Sequence, residues 1–139
     1  MAAALVSACG IGASRAAPSV IDRELLAPYV AALNAGDTEH AWRDFTTDGY
    51  RASTNLIAFE AGQARNRDEL GASVHVTQLP DDPAPLAEPG HPPMLRVTAR
   101  WEGTDATSVV VLDLVDGPPW RIERTWAWPE TGLGTERVY

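Results

Sequence analysis

MLRVTARWE (residues 94–102), TSVVVLDLV (107–115) and WRIERTWAW (120–128) decide the fold. The first stretch alternates strictly, with Leu95, Val97, Ala99 and Trp101 on one side and Arg96, Thr98 and Arg100 on the other. This period of two marks a strand with one face on a core. The second is almost continuous β-branched and leucine sequence, which predicts an interior strand covered on both faces. In the third, Trp120, Ile122, Arg124, Trp126 and Trp128 share one side, opposite Arg121, Glu123 and Thr125. A four-residue turn over DGPP (116–119) sets Val115 opposite Trp120 and Val111 opposite Arg124, with Asp113 diagonal to Arg124. For Trp101 to join the tryptophan face, the preceding hairpin needs an odd-length loop with a bulge at Gly103, because a one-residue slip turns the stripe outward. That register leaves Val110, Leu112 and Leu114 on the outer face. An uncovered apolar stripe there points to a partner subunit, so a homodimer through these three residues is expected.

Upstream of the strands the pattern is helical. Leu26, Tyr29, Val30 and Leu33 recur at helical spacing, Pro28 suits a first turn or a bend, and Gly36 stops the helix. Asp37 caps a second helix carrying Ala41, Trp42 and Phe45 on one face. After the turn Thr47-Asp48-Gly49, a short extended piece is expected around Tyr50. Ser53 or Thr54 caps a third helix with the stripe Leu56, Phe59 and Gln63, ending near Leu70 before Gly71. Residues 73–79 read as a strand. Residues 80–93 carry prolines at 80, 83, 85, 89, 92 and 93 and read as a long loop, because proline cannot donate to a ladder. Helices first and strands later predict an α+β domain, with about three N-terminal helices packed on a curved, mostly antiparallel sheet of four to five strands. The domain is expected over residues 20–128, between a leader and tether (1–19) and a C-terminal tail (129–139).

The chain has 139 residues, enough for one hydrophobic core. Its net charge of -8 repels phosphate backbones, which argues against nucleic-acid binding. The single cysteine, Cys9, excludes an internal disulfide and a C-x-x-C pair. Its setting, Leu5-Val6-Ser7-Ala8-Cys9, resembles a bacterial lipobox. That implies export, a thiol carrying diacylglycerol, and residues 10–19 as a tether to the cell membrane. Residues 1–6 offer neither a basic segment nor the usual longer apolar run, so the signal region is expected to be truncated or misassigned at its start. No later segment approaches the roughly 18 apolar residues of a membrane span.

Tyr29-Val30-Ala31-Ala32-Leu33-Asn34-Ala35-Gly36-Asp37, then Ala41-Trp42-Arg43-Asp44-Phe45, and late Pro119-Trp120-Arg121-Ile122-Glu123, together resemble the nuclear transport factor 2-like, or cystatin-like, superfamily. The resemblance spans residues 25–128 and is closest to small bacterial lipoproteins of that fold. It implies a sheet curled round the helices into a cone with an open mouth. Enzymes of this kind, such as the ketosteroid isomerase-like members, place a carboxylate just after the second helix. Here residues 50–55 hold no acid, and the nearby Asp48 sits in a turn signal, where aspartate bonds its own backbone.

General acid–base chemistry would draw on Asp113, Asp48 and Tyr50, with Arg124 and His75 as further candidates, whereas a structural role makes Asp113 and Arg124 an ion pair. Trp101, Trp126 and Trp128, with Arg124, could line a cavity for a small apolar ligand, or simply fill the space between sheet and helices. His40, His75 and His91 lack ligand spacing, so neither a metal nor another cofactor is expected. The sequence thus favours a non-catalytic binding or interaction domain holding a small apolar ligand or an envelope partner. A small lyase or isomerase and a structural homodimer are the alternatives.

Overall fold

Ser19 opens the helical layer: its hydroxyl accepts the Asp22 N–H at 3.0 Å while the Asp22 carboxylate accepts the Ser19 N–H at 3.4 Å, a reciprocal capping box. The computed structural model describes residues 19–79, 83–115 and 119–129. Cys9 and its lipobox, residues 80–82, residues 116–118 and the tail 130–139 lie outside these.

A π-helical turn, Asp22–Leu26, leads into α1, Ala27–Asn34. Pro28 explains the change of pitch. Its ring crowds the carbonyl four residues back and it offers no N–H, so the backbone widens to an i−5 bond from the Ala27 N–H to the Asp22 carbonyl. Gly36, at φ 79°, closes α1: its N–H reaches the Leu33 carbonyl and the Asp37 N–H the Ala32 carbonyl. Asp37 then caps α2, Thr38–Phe45, by accepting the His40 N–H, as expected.

The extended piece expected at Tyr50 is instead α3, Asp48–Ser53. Thr47 accepts the Tyr50 N–H and so nucleates a helical turn, which confines the extended stretch to Thr46 and its parallel bridge to Ile122. The final helix α4, Leu56–Leu70, is capped by Asn55 rather than by Ser53 or Thr54. It ends at Gly71, at φ 108°.

Five strands follow: β1 Val74–Gln78, β2 Ala84–Leu86, β3 Met94–Gly103, β4 Thr107–Val115 and β5 Arg121–Pro129. All strand pairs are antiparallel and the order is β1-β3-β4-β5, with β2 pairing the other end of β3 on the same edge as β1. The sheet is therefore open, and the domain is α+β. The proline-rich segment is not entirely loop, since β2 pairs Pro85 with Leu95. An edge strand tolerates a residue that donates nothing.

Register is where the structure departs most from expectation. Glu102 pairs with Thr107, so the β3–β4 loop has an even length and β3 carries no bulge at Gly103. This places Val110, Leu112 and Leu114 on the same face as Val97, Ala99 and Trp101. The three are at most 1% exposed, inside the core rather than on an outer dimer face. The bulge lies on β5, where Asp113 pairs with Arg124 but Leu114 pairs with Ile122, leaving Glu123 as the extra residue. Alternation changes phase there. Ile122, Thr125 and Ala127 point inward, and Arg124, Trp126 and Trp128 point outward.

The helices cover the inward face. Tyr29 meets Phe45 and Trp101 edge-on, with ring centroids 6.0 and 6.2 Å apart, among Leu25, Leu26, Phe59, Leu112 and Leu114. Ala99, Val110 and Ala127 form a row of small side chains across three strands, which lets the helical layer close down on the sheet. Glycine is required where α4 meets the β3–β4 hairpin: a Cβ on Gly103 would lie 2.0 Å from the Leu70 carbonyl oxygen. That carbonyl accepts the Asp105 N–H at 2.8 Å.

Candidate functional site

The outer face of β3, β4 and β5 carries a compact charged and aromatic cluster. Arg96, Asp113 and Arg124 are direct neighbours across the three strands. Arg96 forks onto Asp113, Nε to Oδ1 at 2.8 Å and Nη2 to Oδ2 at 3.0 Å, while Arg124 Nε donates to Oδ2 at 3.0 Å. Arg124 also donates through Nη1 to Glu88 at 3.3 Å and through Nη2 to its other oxygen. The Glu88 carboxyl lies below the usual carboxylate range, chiefly through the Arg124 hydrogen bond. Both guanidiniums are shifted up, Arg96 first by its bond to Asp113 and Arg124 first by its bond to Glu88.

Trp126 lies within reach of both cations, its ring centroid 5.1 Å from Arg96 and 5.4 Å from Arg124. Arg96, Val111, Trp126 and Trp128 line a shallow depression of about 200 Å³. The two indoles are half-buried, and the guanidiniums partly shield that of Trp126. Two positive and two negative charges cancel within the cluster, so it presents flat aromatic surface without net charge.

A second concavity, an open cleft of about 710 Å³, lies beside the β5 bulge between α3 and the loop before β3. The bulge aims Glu123 into it. One Glu123 oxygen accepts the Thr47 hydroxyl, and the other lies 3.0 Å from His91 Nδ1. Asp48, Arg51 and Arg121 stand around them. Arg51 is committed to Asp48 and to the Thr46 and Arg43 carbonyls.

Among the described residues, helices and sheet enclose little space. The cavity lined by α1, α4 and Trp101 measures about 20 Å³, against the several hundred Å³ of a typical ligand pocket. Tyr50 is buried against Phe59, and burial pushes its hydroxyl up to about 12.

The expected ligand residues are thus divided: Trp126, Trp128 and Arg124 share the outer face, while Trp101 lies in the core. Asp113 is fully buried and faces Arg124 directly rather than diagonally. The acid–base candidates do not converge either, since Asp113 is in the outer cluster, Asp48 on the cleft wall and Tyr50 in the core. His75 lies exposed on β1, and His40 pairs with Asp44 at 2.6 Å. Among the described residues, no group of three His, Cys, Asp or Glu side chains is placed to hold a metal. No helix among them is long and apolar enough to cross a membrane.

No protein family, curated protein or solved structure matches this chain.

Sequence reasoning passed over Arg96, although strict alternation in β3 had placed it opposite Trp101. It also passed over Glu88, which the loop before β3 brings to Arg124, and Glu123 and Thr47, which meet near His91 only through the bulge and the loop.

Proposed function

We propose that this chain is a non-catalytic interaction domain whose outer sheet face engages an extended segment of a protein partner in the cell envelope. The observation that carries this is the division of the sheet. Its inner face is filled by the helices, while Trp126 and Trp128 lie on the opposite face beside two guanidiniums. Tryptophan and arginine dominate binding energy at protein interfaces. The internally neutral charge cluster suits an apolar or mixed partner surface better than a strongly charged one. A small apolar ligand would be confined to the shallow depression at Val111 and cover little of itself there.

The helical layer on an antiparallel sheet also supports membership of the nuclear transport factor 2-like superfamily, with a cavity of only about 20 Å³ between α1, α4 and Trp101 among the described residues. Export and lipid anchoring rest on the lipobox-like residues 5–9. Retention of a fatty-acid label after Cys9→Ala would sink the anchor.

Photocrosslinking on intact envelopes tests the partner. Trp128→benzoylphenylalanine should give one discrete adduct that Trp126→Ala abolishes, and the same probe at the exposed Ile57 should give none. Equal adducts from both positions would overturn the proposal.

The 3.0 Å contact of His91 with Glu123 favours a second function, acid–base chemistry on a polar substrate in the open cleft. This is the lyase or isomerase alternative moved away from Asp113. Turnover abolished by both His91→Gln and Glu123→Gln would establish it.

A further inference from the structure

Of the buried polar atoms without a hydrogen-bond partner among the described residues, three belong to residues that line the same small cavity: Gln63 Nε2 and Asn66 Oδ1 on α4, and the Trp101 indole Nε1 on β3. The residues are 5%, 4% and 5% exposed, so bulk solvent does not satisfy them. Buried polar groups are nearly always paired, and three orphans around one space call for a common partner. The cavity, about 20 Å³, exceeds the roughly 10–15 Å³ one water requires and is far too small for an organic ligand.

We propose that this cavity is the binding site of a single ordered water that bridges the middle of α4 to the sheet. The water accepts from the Trp101 indole and the Gln63 amide and donates to the Asn66 oxygen, the three bonds usual for buried water. A cation does not suit a site whose unpartnered atoms include two N–H donors, nor a halide one that includes the Asn66 oxygen. The assignment survives reversal of the amides. Asn66 Nδ2 donates to Gln63 Oε1 at 3.3 Å. Turning both groups over reverses that bond and still presents one donor and one acceptor to the cavity. Gln63, which shares its helical stripe with Phe59, is thereby explained as a polar residue in an apolar layer.

Water–amide NMR tests the site. Trp101→Phe identifies the Trp101 indole resonance, which should exchange slowly and show a direct cross-peak to a long-lived water. Gln63→Leu, which removes a polar partner and makes that wall apolar, should abolish that cross-peak while the remaining indole resonances keep their positions. A wild-type indole without a water cross-peak, or a cross-peak that survives Gln63→Leu, would overturn the proposal. Should Gln63→Leu fail to fold, a crystal structure of the wild-type chain decides. Density about 3 Å from all three atoms supports the site, and density touching fewer than three overturns it.

Discussion

Asp113, with none of its side chain exposed, receives the Arg96 guanidinium edge-on through two hydrogen bonds of 2.8 and 3.0 Å. The partners are unequal in their access to water, because Arg96 and Arg124 keep 43% and 30% of their side-chain surface exposed. Removing the acid and removing the bases should therefore have different costs. Asp113→Leu leaves two cations that can rehydrate, and should destabilise by about 1–2 kcal/mol. The double variant Arg96→Met, Arg124→Met strands a buried carboxylate and should cost about 3–5 kcal/mol. Urea unfolding of both variants measures the difference, and equal losses would contradict the burial asymmetry.

Gly103 and Gly62 should respond to alanine with opposite signs. At Gly103 the new methyl group meets the Leu70 carbonyl at 2.0 Å, so the α4 terminus or the hairpin must move, at a cost of about 3 kcal/mol or more. At Gly62, inside α4, the nearest atom would be 3.8 Å away, and the gain in helix propensity should stabilise by about 0.5–1 kcal/mol. Thermal unfolding of the two variants gives both signs directly.

Alkali should destabilise the fold partly through Tyr50. Burial disfavours the phenolate and pushes the hydroxyl up from its ordinary value of 10.0 to about 12. The native state therefore holds this proton more tightly. The contribution is complete below pH 10 and is lost as the pH rises towards about 12, on the order of 2–3 kcal/mol. Tyr50→Phe should make the stability profile between pH 9 and about 12 shallower by that amount, as read by urea unfolding.

Thr47 and Glu123 should be energetically coupled. The Thr47 hydroxyl caps α3 at the Tyr50 N–H while donating to Glu123, so each single substitution disturbs a shared arrangement. Thr47→Ala should cost about 1–2 kcal/mol. In a double-mutant cycle with Glu123→Ala, the pair should show an interaction of about 0.5–1.5 kcal/mol, whereas independent effects would remove Glu123 as an organiser of the cleft.

The α+β layout, three of the caps or stops at Asp37, Gly36 and Gly71, and the strands β1, β3 and β4 were legible because each rests on local chemistry or a single period. The face assignment of β5 was not. Its sequence alternates tryptophan with small residues, and apolarity alone sends the larger rings inward. A single extra residue at Glu123 reverses the phase after Ile122, and guanidiniums supplied by β3 and β5 shelter Trp126 from the outside. Gly103 drew notice as a sign of irregularity in β3, but its real constraint is a carbonyl on a helix more than thirty residues away in sequence. The same limit applies to the candidate site. Asp113 and Arg124 were legible as neighbours, whereas Glu123, Thr47 and His91 come from three separate elements.

Pro85 also bears on self-association. In β2 it occupies the margin of the sheet, pairing with Leu95 on one side. A strand from another molecule approaching the free side would find no amide hydrogen at that position, and the segment is three residues long. This end of the sheet is thereby blunted as a template for fibrous growth, so chains can crowd together without extending one another's ladders there.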